Sequence, residues 1–104
     1  MKKTVTTTEL VIDLTKNTSV IDNTRFPECT EILSVQKNEE TNKVSIVFAA
    51  PSNMFDSHLW RNYTFVACKC SYDTEYDFDD HKYLDSIQIG NDIYAIFYKP
   101  GLFT

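Results

Sequence analysis

Two runs, Glu31-Ile32-Leu33-Ser34-Val35-Gln36 and Lys43-Val44-Ser45-Ile46-Val47-Phe48, alternate apolar and polar residues on either side of the polar stretch 37–42. In a pleated strand successive side chains point to opposite faces, so alternation of this kind buries one set only as β structure. Two such runs around a short polar connection predict a β-hairpin. The second run turns continuously apolar at Ile46-Val47-Phe48-Ala49-Ala50, which suits an interior strand covered on both faces.

Other segments repeat the theme. Ser86–Ile89 and Ile93–Tyr98 flank Gly90-Asn91-Asp92 and predict a tight hairpin, with glycine and asparagine supplying positive φ and Pro100-Gly101 ending it. Thr4–Leu14 reads as a strand with Leu10, Ile12 and Leu14 on one face, and Tyr63–Cys70 as another. The segment Ser19–Cys29 must bury Val20, Ile21 and Phe26, yet Pro27 interrupts any regular element there. Ser52 caps a short helix running from Asn53 to about Trp60, with Met54, Phe55, His58 and Leu59 on one side.

The fold class is therefore mainly β (or α+β). About six antiparallel strands form a small barrel, a sandwich or a single sheet, with one short helix near residues 53–60. A chain of 104 residues accommodates a single globular domain, 1–104, and its 42% apolar and 13% aromatic content excludes a disordered segment. No stretch approaches the ~18 consecutive apolar residues of a membrane helix. Met1-Lys2-Lys3-Thr4 opens like a signal peptide, but Thr6, Thr7, Thr8 and Glu9 interrupt the apolar core that would have to follow. The expected location is the cytoplasm (the host cytoplasm for a phage-encoded protein).

Charge is distributed unevenly. Between Ser71 and Asp92 seven acids face only Lys82, whereas the rest of the chain carries eight acids and nine bases. Asp73, Glu75, Asp77 and Asp79 fall at every second position, followed by Asp80. As an extension of the Tyr63 strand, the carboxylates line one face and Tyr72, Tyr76 and Phe78 line the other, recurring every ~6.6–6.8 Å. Neighbouring charges at about 7 Å repel by ~0.6 kcal/mol in water, so an uncompensated row points to use. Its sign and order of spacing suit a groove built for a phosphate backbone. A short helix from Asp80 to Asp85, capped by Asp79 with Leu84 and Ile87 facing inward, is the competing local reading. An EF-hand is excluded, because Phe78 stands where its glycine belongs and Leu84 where its bidentate glutamate belongs.

No catalytic motif, phosphate-binding glycine loop or basic stripe is present, and direct nucleic-acid binding does not fit a net charge of −5. Cys29, Cys68 and Cys70 are odd in number and lack zinc spacing even with His58 or His81, so no metal and no cofactor are expected. The leading expectation is a non-enzymatic, acidic protein-binding inhibitor, monomeric or homodimeric. It blocks a basic, nucleic-acid-handling protein such as a nuclease, in the manner of a phage anti-defence protein or a nuclease immunity protein. Asp73, Glu75, Asp77, Asp79 and Asp80 steer the encounter, and Tyr72, Tyr76 or Phe78, where turned outward, add buried contact. Two other classes compete: an assembly subunit pairing through the edges of the two hairpins, and a small enzyme using His58 or His81.

Overall fold

The computed structural model describes residues 1–38, 42–57, 59–70 and 75–103. Seven strands run β1 (Lys3–Val11), β2 (Thr18–Pro27), β3 (Glu31–Lys37), β4 (Lys43–Pro51), β5 (Trp60–Lys69), β6 (Lys82–Ile89) and β7 (Asp92–Phe103). They form two antiparallel sheets, ordered β1-β4-β3 and β2-β5-β7-β6. The two expected hairpins are β3–β4 and β6–β7, and β4, the continuously apolar run, is the middle strand of its sheet. In the β6–β7 turn only Gly90 takes a positive φ, +62°.

The sheets face each other across one apolar cluster. Leu10, Val35, Val44, Ile46 and Phe48 come from the three-stranded sheet, and Phe26, Tyr63, Phe65, Ile87, Tyr94 and Ile96 from the four-stranded one. Phe26 is completely buried. Its ring meets Phe48 of the opposite sheet edge-on at 4.8 Å between centroids, and Tyr63 of the neighbouring strand at 4.8 Å. Edge-to-face geometry sets the positive rim of one ring against the negative face of the next.

Several sequence expectations shift. The helix near 53–60 is a single 3-10 turn, Ser52–Asp56, with no side-chain cap, and Trp60 already belongs to β5. Five residues give too few hydrogen bonds to sustain an α-helix, and the ladder to β2 claims Trp60 opposite Pro27. β2 absorbs Pro27 as its last residue on an edge strand, where a missing N–H costs little. β1 stops at Val11, so Leu10 and Ile12 are buried but Leu14 is exposed in the following turn. β7 runs through Pro100-Gly101 instead of stopping there, because the register to β5 slips between Arg61 and Tyr63. At that bulge a Cβ on Gly101 would lie 2.8 Å from the Asn62 carbonyl oxygen, so the backbones approach as only glycine allows. Arg61 Nε donates to the Gly101 carbonyl at 2.7 Å across the same irregularity.

Two measurements test this core. Phe26→Ala removes the ring that touches both sheets and is expected to cost about 3–5 kcal/mol in denaturant unfolding. Burial raises the Tyr63 phenol above its ordinary 10.0 and the Cys68 thiol above 9.0. Both groups hold their protons more tightly folded than unfolded, so their stabilisation is complete below pH 9 and declines as pH rises from there. Tyr63→Phe is expected to make that alkaline decline shallower in a pH series of unfolding midpoints.

Candidate functional site

The four-stranded sheet has an unusual outer face. Val20, Val66, Phe97 and Tyr83 lie directly opposite one another across β2, β5, β7 and β6. This row points away from the other sheet, since Phe65 and Ile96 beside it face the core. Val66 is nevertheless completely buried, while Val20 and Tyr83 at the two ends are about half exposed. The middle of the outer face is thus covered, and the acidic segment lies over it. The Phe78 ring sits 4.2 Å from Phe97, with Tyr76 at 5.1 Å from Phe78. The His81 ring stands edge-on to both, 5.8 Å from Tyr76 and 5.9 Å from Phe78. Tyr83 packs against Phe97 from the side at 5.5 Å.

This arrangement replaces both local readings of the sequence. β5 ends at Lys69, and Cys70 makes a last backbone bond to the Ile93 carbonyl. Residues 75–78 then run without strand pairing, so the acidic row is not an extension of β5. Nor is there a helix from Asp80 to Asp85, because β6 begins at Lys82 and pairs with β7. Strand pairing places Ile87 in the core and satisfies a ladder of backbone groups, which a one-and-a-half-turn helix could not match. A tight turn joins the two: the His81 N–H donates to the Phe78 carbonyl at 3.0 Å, with Asp80 at φ +64°. Asp77 Oδ1 accepts the Asp79 N–H at 3.1 Å and stiffens its start.

The in-and-out alternation survives without a sheet. Glu75, Asp77, Asp79 and Asp80 are exposed, and Tyr76 and Phe78 are half-buried. The two aromatics are therefore turned toward the sheet, where they position the segment, and not outward. Among the described residues no Lys or Arg forms an ion pair with these four carboxylates; the ion pairs seen are Lys16–Asp13 and Lys43–Glu9, both elsewhere. Asp73, Tyr72 and His58 lie outside the described residues. Sequence reasoning missed Phe97 as the platform. The signal was present in Ile93-Tyr94-Ala95-Ile96-Phe97-Tyr98, which is apolar on both faces and so requires cover on both.

The histidine has a structural setting. His81 Nδ1 lies 3.0 Å from the Asp79 carbonyl, which can only accept, so Nδ1 carries the proton. Nε2 is buried with no hydrogen-bond partner among the described residues. No group of three His, Cys, Asp or Glu side chains among those residues is placed to hold a metal ion. Beside the β3–β6 boundary an open cleft of about 290 Å³ sets Glu31 with Arg61 and Lys82 over the stacked Tyr63 and Tyr98 rings. Its charges are mixed, in contrast to the single sign of the acidic turn.

Comparison with protein-family models, with curated proteins and with solved structures found no match. No helix among the described residues is long and apolar enough to cross a membrane. Fold and site together define a class: a two-sheet antiparallel β protein carrying an acidic turn clamped by aromatic rings to the outside of one sheet. Phe78→Ala is expected to release that clamp. Cleavage by a glutamate-specific protease after Glu75 should accelerate about tenfold, while the global unfolding free energy falls by only ~1–2 kcal/mol. Limited proteolysis read by mass spectrometry, beside a denaturant titration, checks both.

Proposed function

We propose that the protein is a non-catalytic inhibitor whose acidic turn occupies the basic groove of a nucleic-acid-handling protein, such as a nuclease. One observation carries the reading. Glu75, Asp77, Asp79 and Asp80 are exposed on a segment held down by Tyr76, Phe78 and His81, and no described cation of the same molecule neutralises them. Like charges this close in the chain repel one another, and no ion pair among the described residues offsets that cost. A segment that is already ordered loses little conformational entropy on binding. A concentrated negative potential steers a positive partner and raises the association rate.

Slow dissociation needs a desolvated contact as well. With Tyr76 and Phe78 engaged on the sheet, that role falls to Tyr83, 58% exposed beside Phe97 and close in the chain to the acidic turn. A phage-encoded inhibitor of a host defence or replication protein and an immunity protein against a nuclease toxin fit this reading equally well.

The test begins with capture of a basic partner from the native host, followed by kinetics with the purified pair. Replacing Glu75 by Gln and Asp77, Asp79 and Asp80 by Asn keeps the shape and removes the charge, and Asn tolerates the positive φ at position 80. The association rate is expected to fall at least about tenfold and to lose most of its salt dependence. Binding that is unchanged in the quadruple variant rules the reading out.

A further inference from the structure

Independently of the acidic turn, the three-stranded sheet presents an edge, the outer side of β1, that is unpaired among the described residues. Ile12 N–H donates to the Asn42 carbonyl, and Ser52 N–H donates to the Lys2 carbonyl. Even-numbered residues of this segment therefore direct their backbone groups at β4. In an antiparallel ladder hydrogen-bonded positions alternate, so Lys3, Val5, Thr7, Glu9 and Val11 direct N–H and C=O outward. Among the described residues β1 pairs only with β4.

The other three edges are interrupted. β2 shifts register between Ile21 and Thr24 and ends in Pro27. β3 shifts between Ile32 and Ser34, β6 shifts between Tyr83 and Asp85, and these two strands pack against each other. Bulges, prolines and mutual cover are three of the devices, beside edge charges such as Lys3 and Glu9 of β1, by which native sheets prevent edge-to-edge pairing. β1 has none of those three: its nine residues keep one register from Lys3↔Pro51 to Val11↔Lys43. Residues 3–7 are exposed on both faces, with Val5 at 62%.

We infer that β1 is a homodimerisation edge, pairing antiparallel with β1 of a second copy about a two-fold axis at Thr6. This register sets Lys3 opposite Glu9 of the second copy, Thr4 opposite Thr8 and Val5 opposite Thr7. Outward-facing residues then meet outward-facing residues, so each Lys3–Glu9 and Val5–Thr7 pair exchanges two backbone hydrogen bonds. Opposite charges and threonine pairs at facing positions are favourable cross-strand combinations. Centring on Thr7 would instead set Lys3 against Val11 and leave both charges unmatched. The Glu9 carboxylate is already held in place by Asn38 Nδ2 at 3.1 Å and Lys43 Nζ at 3.7 Å. The strand carries one base and one acid, so the edge is neutral although the chain is at −5. Pairing joins the two three-stranded sheets into one of six strands and leaves the acidic turns, on the other sheet, uncovered.

Sedimentation and light scattering over a wide concentration range are expected to show a monomer–dimer equilibrium. Thr7→Pro deletes an outward N–H while sparing the ladder to β4 and should give a folded monomer by circular dichroism. Lys3→Glu should weaken the dimer about tenfold at low salt, and Lys3→Glu combined with Glu9→Lys should restore it. As a check that does not depend on the folding of those variants, Thr6→Cys with Cys29 and Cys70 replaced by Ser should oxidise to a covalent dimer. A non-hydrogen-bonded pair brings facing Cα atoms to about 4.5 Å, within disulfide range. A monomer at every concentration, or a dimer that survives Thr7→Pro, overturns the inference. So does a dimer that the charge exchange fails to restore while Thr6→Cys stays unlinked.

Discussion

Two sheets laid face to face have no backbone hydrogen bonds between them, so side chains alone set their spacing and alignment. Here that work centres on Phe26. It projects from an edge strand, yet it is wholly enclosed, edge-on to Phe48 above and to Tyr63 beside it. The strand that carries it is irregular, with a register shift in its middle and a proline at its end. The anchoring ring fixes the strand, more than the strand's own propensity fixes the ring. With the layers held, β5 and β7 become interior strands, β5 buried on both faces at residues 65–68, and the outer face of their sheet is available as a second platform.

That platform decides what the acidic segment can be. A carboxylate at every second residue is a poor sequence for a buried strand and a costly one for a helix. Alternating aromatics resolve the conflict, because Phe78 gains burial on Phe97 and Tyr76 gains it against Phe78 and His81, while Glu75, Asp77 and Asp79 stay in water. Hydrogen bonds inside the turn, from Asp79 to Asp77 and from His81 to Phe78, take over the role that sheet pairing would have played. The local energetics are those of a strap: apolar below, charged above, and pinned at its C-terminal end by the start of β6.

Much of this was legible in the residues. The hairpins β3–β4 and β6–β7 follow from alternation and from Gly90, since period-two patterning and a left-handed turn residue are local signals. What local signals could not reveal is competition. Asp80–Asp85 has a capping residue and inward-facing Leu84 and Ile87, so it reads equally well as a helix; the partner strand β7 settles the matter from ten or more residues away. Pro100-Gly101 reads as a stop, yet a bulge opposite Arg61 and Tyr63 admits both residues. Trp60 reads as the end of a helix until β2 claims it. In each case a non-local ladder overrides a locally reasonable choice. Within the site, the residue types and their in-and-out order were readable, and the surface they rest on was not.

The order of strands along the chain differs from their order in space, and this bears on synthesis. All of β1, β3 and β4 precede Ser52, so the three-stranded half can assemble while the remainder is still being translated. The other half cannot. Its interior strand β7 is the last of the seven to be made, and it separates β5 from β6. Until Asp92 and the residues after it leave the ribosome, β6 has no strand to pair with, Phe78 has no Phe97 to rest on, and the acidic strap follows β5 without its platform. A nascent chain that stalls before β7 would therefore display its carboxylates without their aromatic clamp, and the strap would take its shape only as the twelve residues of β7 emerge.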